Sequence, residues 1–142
     1  MKFIHIAIAV FGLMQISGCG EDEQVLTPNE VTEELLTSQI WEMTEVKIDG
    51  VVSDLYAGLT LSFGSNTYTT TNGGKVWPAS GTWEFVGDKG DKILRDDGLQ
   101  ITIESANASQ LVMSFTWSTT TFDGGRAGSL TGLHRMTFKR KN

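Results

Sequence analysis

The sequence predicts an all-β domain: an eight-stranded antiparallel up-and-down barrel with a short N-terminal helix closing one end. Three observations predict it. From Ile40 onward, apolar and polar residues alternate with period two in eight segments, near 40–48, 59–63, 67–71, 81–86, 92–95, 100–105, 110–117 and 132–140. No helical stretch separates these segments, so neighbours pair antiparallel as a meander, and eight strands in that order can close on themselves and leave no edge. The composition, 16 Gly and only 2 Pro in 142 residues with many Thr, Ser and aromatics, suits short strands joined by tight turns.

The chain opens differently. Lys2 precedes an apolar stretch from Phe3 to Met14, the layout of a secretory signal. A spanning helix needs about 20 apolar residues, and this stretch turns polar at Gln15 well short of that. The following Ile16-Ser17-Gly18-Cys19 resembles the lipobox of bacterial lipoprotein signals, in which small residues fit a peptidase groove and the cysteine thiol accepts the lipid. The resemblance implies a signal peptide over 1–18, a lipidated Cys19 with a flexible tether over 19–27, and the barrel over 28–142. Cys19 is the only cysteine, so an intrachain disulfide is excluded by counting. The acyl chains of a mature lipoprotein cysteine suffice for stable membrane anchoring. Glu21-Asp22-Glu23 resembles the acidic surface-export signals of lipoproteins in some Gram-negative bacteria, and equally suits a solvated linker. The expected location is the outer membrane, facing either the periplasm or the outside.

Next comes the helix. Thr27-Pro28-Asn29-Glu30 combines an N-cap Thr, Pro at the first helical position and Glu three residues after the cap, so a helix should run to about Leu36 with Val31, Leu35 and Leu36 on one side. In the strands that follow, one face is apolar throughout: Leu59, Leu61 and Phe63; Trp83 and Phe85; Ile101 and Ile103; Leu111, Met113, Phe115 and Trp117; Met136 and Phe138. This set either lines a pocket for an apolar ligand or fills the barrel, because eight strands are just wide enough for both outcomes. Loop lengths separate the two ends. Asp49 to Gly58, Asn72 to Ser80 and Ser118 to Thr131 are long and share one end, whereas Gly64-Ser65-Asn66, Gly87 to Asp91 and Ala106 to Ser109 are short and share the other, which the helix should plug. Tyr56, Trp77 and Phe122, with Arg126, occupy the long loops and are candidate ligand contacts together with Trp83, Phe85, Met113, Phe115 and Trp117; the loop aromatics could instead fold inward as a lid.

A helical turn, Trp41 at the start of the first strand, an eight-stranded meander and a basic residue near its end together resemble the lipocalin plan. The resemblance implies a guanidinium, from Arg140 or Arg135, stacked on the Trp41 indole at the closed end. The plan departs at Gln39, where lipocalins carry Gly; the chain's Gly-x-Trp is Gly81-Thr82-Trp83. The chain is more similar to the lipocalin-like domains of bacterial lipoproteins, through Trp41 to Gly50, Ser80 to Trp83, Arg95-Asp96-Asp97-Gly98, Leu111 to Phe115 and Gly124-Gly125-Arg126. That family implies a barrel and an envelope location, with no defined ligand and no catalytic residues.

Function classes narrow accordingly. The net charge is −6 with Lys139-Arg140-Lys141 the only basic cluster, so a nucleic-acid partner is not expected. Past the signal, His134 is the only histidine, and there is no Gly-x-Ser-x-Gly elbow, phosphate loop or dinucleotide fingerprint, so no enzyme activity and no cofactor are expected. Asp88, Asp91, Asp96 and Asp97 could offer oxygens to calcium, but a strand separates the two pairs, and they read as loop and turn residues. Two functions stand open: a membrane-anchored carrier of a small apolar or amphipathic ligand, or a protein-interaction module, such as an accessory subunit of an envelope complex or an inhibitor of a secreted enzyme, built on a solid barrel.

Overall fold

The computed structural model describes residues 24–118 and 131–142. One helix, α1 (Pro28–Thr37), precedes nine strands among these residues: β1 (Ile40–Ile48), β2 (Val51–Ser53), β3 (Thr60–Gly64), β4 (Thr67–Thr71), β5 (Ser80–Phe85), β6 (Lys92–Arg95), β7 (Gln100–Ala106), β8 (Gln110–Trp117) and β9 (Gly132–Arg140). Eight of them form the expected closed antiparallel barrel. Each strand from β3 to β8 pairs with the next, β1 pairs with β3, and β1 also pairs with β9 from Trp41↔Arg140 to Ile48↔His134, which closes the cylinder.

The ninth strand, β2, lies where a long loop is expected. Asp49 and Gly50 both adopt positive φ, 50° and 82°, and form a two-residue turn that folds Val51–Ser53 back on Ile48–Val46. Asp-Gly is the strongest short-range hairpin signal, because both turn positions need positive φ. The Val-Val-Ser strand behind it shows no alternation, and that hid it. Of the expected Asp49 to Gly58 loop, only the stretch after Ser53 is irregular.

The helix begins with a full capping box: Glu30 N–H donates to Thr27 Oγ1 and Thr27 N–H donates to Glu30 Oε2, at 3.3 and 2.7 Å. The backbone N–H holds the Glu30 carboxyl below its ordinary value. α1 sits on the short-hairpin end. Asn29 donates to Gly87 O and accepts from Gly90 N–H, Thr32 donates to Gly90 O, and Glu33 accepts from Ser65. Leu36 is fully buried and its carbonyl accepts Trp41 Nε1 at 3.2 Å, while Leu35 is half-buried. Val31 departs from the expected apolar side and stays 44% exposed, because the first turn of the helix is held by polar contacts to the 87–90 turn.

Gly90 sets how closely the helix docks. Its φ is +65°, and a Cβ there would strike the Pro28 carbonyl and the Thr32 hydroxyl. Gly90→Ala therefore combines left-handed strain with a backbone clash, and is expected to cost about 1–3 kcal/mol. A lowered thermal midpoint together with freed α1 amides in hydrogen exchange would check it; unchanged exchange in α1 would show that the helix docks some other way.

The inward set of Leu59, Leu61, Phe63, Trp83, Ile101, Ile103, Leu111, Met113, Phe115, Met136 and Phe138 is buried, with Trp41, Val46, Tyr68 and Ile93 added, in one continuous core. Phe85 and Trp117 pack against it half-buried.

Candidate functional site at the long-loop end

The mouth of the barrel is closed over its strand residues by two side chains that come from a loop. Between β4 and β5 the chain turns at Gly73, whose carbonyl accepts Trp77 N–H at 3.0 Å, and this drives Val76 and Trp77 inward, 0% and 1% exposed. Thr70 fixes the return by donating to Pro78 O at 2.8 Å. The Trp77 indole meets Tyr68 and Phe115 edge-on, with centroids 5.9 and 6.0 Å apart, and its Nε1 donates to Met136 Sδ at 3.3 Å. Of the two orientations open to a loop aromatic, Trp77 takes the lid orientation.

Beneath this plug lies a buried cation. Arg95 ends β6 on the same face as Ile93, and its side chain is fully shielded. Its guanidinium packs over Trp77 at 4.9 Å and Tyr68 at 5.9 Å from the ring centroids. Nη1 donates to Val76 O at 2.7 Å, Nε donates to Asp97 Oδ1 at 3.1 Å, and Nη2 bonds Asp97 Oδ2, so the pair is bidentate. Asp97 projects from the β6–β7 turn and is about a third exposed. The hydrogen bond from Arg95 holds its carboxyl below the ordinary value of 3.8, against the opposing effect of burial.

A carboxyl lowered in the folded state contributes stability that is complete above its unfolded value and is lost as pH falls through the lowered value. As pH falls below 3.8 and through the lowered value of Asp97, its protonation strips Arg95 of its counter-charge, and the plug should loosen. A red shift of tryptophan emission over this acid range that Asp97→Asn displaces or removes would check the effect; an identical acid profile in the variant would rule it out.

Beside the plug, Tyr56 is half-buried with its hydroxyl 3.4 Å from Nε2 of the fully buried His134. The Gly132 carbonyl, 3.1 Å from Nδ1, can only accept, so Nδ1 donates to it and Nε2 faces the Tyr56 hydroxyl. Burial pushes the Tyr56 phenol up to about 12, which keeps it protonated as a donor. Phe115 stacks on the imidazole at 5.2 Å, with the rings 12° apart.

The other candidates separate. Met113 lies in the core opposite Met136. Trp83 and Phe85 lie toward the closed end, where Trp83 Nε1 donates to Thr67 O and its N–H to Asn66 O, so they are not part of the mouth. Trp117 lines an open groove of about 750 Å³ on the rim with Gln100, Thr102, Ser114, Thr116 and Leu133. Trp41 is fully buried, but Arg140, on the inward face by register, is exposed at the end of β9, and Arg135 faces outward and pairs with Glu104; among the described residues the guanidinium that packs on aromatics is Arg95, not either of these. Cys19, Phe122 and Arg126 lie outside the described residues. Sequence reasoning missed Arg95, Val76, Tyr68 and His134 as mouth residues. A signal for Arg95 was present: in Lys92-Ile93-Leu94-Arg95 it shares the inward parity of Ile93.

These features define a small closed β-barrel whose interior is completed by its own loop and seated on a buried ion pair. Compared with known proteins, the chain matches no family model, no curated protein and no solved structure.

Proposed function

We propose that this chain is a lipid-anchored envelope protein of the lipocalin-like kind, whose barrel takes up a small apolar or amphipathic ligand at the long-loop end, without catalysis. One observation supports the reading above others: the upper interior is completed by two loop residues, Val76 and Trp77, 0% and 1% exposed, and not by strand side chains alone. A space filled from a loop can be vacated by moving that loop; a space filled from strands cannot be vacated without opening the barrel. The anchor at Cys19 and the tether would leave the mouth facing away from the membrane, since α1 occupies the opposite end.

Native mass spectrometry of the full chain from its own cells, followed by organic extraction, tests the reading. A small molecule bound in stoichiometric amount, whose removal lowers the melting temperature, is the expected result. A protein that remains empty when purified gently, and gains no stability from any added apolar compound, would overturn it.

A second reading, an interaction module on a permanently solid barrel, is favoured by the apolar residues left at the same end, Val51 at 70%, Val52 at 63% and Leu133 at 50% exposed. A photo-crosslinker at Val52 would then capture one discrete partner that the same probe at Thr69 does not.

A further inference from the structure

Arg95 is costly as mere filling. A buried ion pair gains little over an apolar side chain of the same volume, because removing a cation from water offsets much of the attraction. Its partner is also unusual: Asp97 sits on a surface turn with its carboxylate partly in water, so it can leave Arg95 and be solvated at once. A second polar group waits nearby. Tyr68 is 2% exposed and its hydroxyl has no hydrogen-bond partner, although its ring lies against both Arg95 and Trp77. Such an orphan is destabilising until something accepts from it. Burial raises its pKa, so the phenol remains a donor.

We propose that Arg95 and the Tyr68 hydroxyl form the receptor for the carboxylate of a ligand with an aromatic or apolar body, and that Asp97 and Trp77 occupy this receptor as the chain's own surrogate ligand. This rests on the reading of the upper interior as binding space. The Asp97 carboxylate stands in for the ligand's charge, and the Trp77 indole for its body. On exchange, Val76 withdraws with Trp77 and frees Nη1, and the ligand carboxylate binds the guanidinium from inside the barrel on Nη1 and Nη2, deeper than Asp97, where one of its oxygens accepts from Tyr68. Asp97 leaves for water as the ligand arrives, so Arg95 keeps a counter-charge throughout. The arginine fork, planar and already matched to a carboxylate, selects that head group over a neutral one.

The test uses the full chain with indole-3-propionate and its neutral amide as probes, in wild type, Trp77→Ala, Asp97→Asn and Trp77→Ala/Arg95→Met. Trp77→Ala is expected to bind the carboxylate about tenfold more tightly than the amide, the worth of one charge-assisted hydrogen bond. Asp97→Asn, which keeps Trp77 and so bypasses any folding defect of the cavity variant, should raise carboxylate affinity over wild type by a similar factor and leave the amide unchanged. Adding Arg95→Met should abolish the preference while amide binding persists. If the folded variants bind both probes alike, the carboxylate receptor is overturned and the binding space stands. If they bind neither probe, the binding space itself is overturned.

Discussion

Trp77→Ala should lower stability by about 3–5 kcal/mol, the loss expected for truncating a fully buried indole. The indole is 1% exposed, touches Tyr68 and Phe115 edge-on, covers the Arg95 guanidinium and donates to the Met136 sulfur, so its removal forfeits burial, ring contacts and cation–π attraction together. The loop that carries it is anchored independently at Thr70 and Gly73, so it has little freedom to collapse into the space. Guanidinium denaturation with an unchanged slope and a lower midpoint would check the size of the effect. The vacated volume should bind indole itself, since apolar cavities of this kind accept matching apolar guests. A variant that loses less than about 1 kcal/mol would mean that Trp77 already spends much of its time outside the barrel.

Arg95 should give a different answer depending on what replaces it. Arg95→Ala removes the cation, leaves the Val76 carbonyl without its donor and opens a cavity under Trp77, for an expected loss of about 3–5 kcal/mol. Arg95→Met keeps most of the volume without the charge, and buried ion pairs exchanged for apolar groups of similar size are often neutral or stabilising. The expected result is therefore a variant within about 1 kcal/mol of wild type, with the acid transition assigned to Asp97 lost. Parallel melts of the two variants measure the contrast. Equal, large losses would show that the ion pair itself holds the mouth together, which would also weaken the case that Arg95 is kept for something other than stability.

The barrel was legible because the strands bury one face. Leu59, Leu61 and Phe63, or Leu111, Met113 and Phe115, cannot be placed in any register that exposes them, and all six are buried, although Val112 on the other face of β8 is buried as well. The helix was legible because its start is encoded locally in Thr27-Pro28-Asn29-Glu30. The mouth was not. Whether Trp77 faces water or the core is decided by the space that eight strands leave above Met136, a property of the closed cylinder that no window of sequence contains. Arg95 lay on the inward face by parity, but a charge in that position reads as an interruption of the pattern until its partner on the neighbouring turn is seen. His134 reads as an ordinary strand residue for the same reason; the Tyr56 hydroxyl and the Phe115 ring that enclose it are distant in sequence.

The pairing of β1 with β9 also governs the order of assembly. The strand that closes the cylinder follows the other barrel strands in the chain, and its partner precedes them, so Trp41 meets Arg140 only when every barrel strand is available. Contacts this far apart in sequence are entropically expensive to form and slow the folding of β proteins. Until β9 arrives, β1 and β8 each present an open edge, and Val46, Leu111 and Met113 lack their cover. A chain ending a dozen residues early would keep every other strand and still be an open, aggregation-prone sheet. The cylinder therefore has open edges at every stage before β9 is in place.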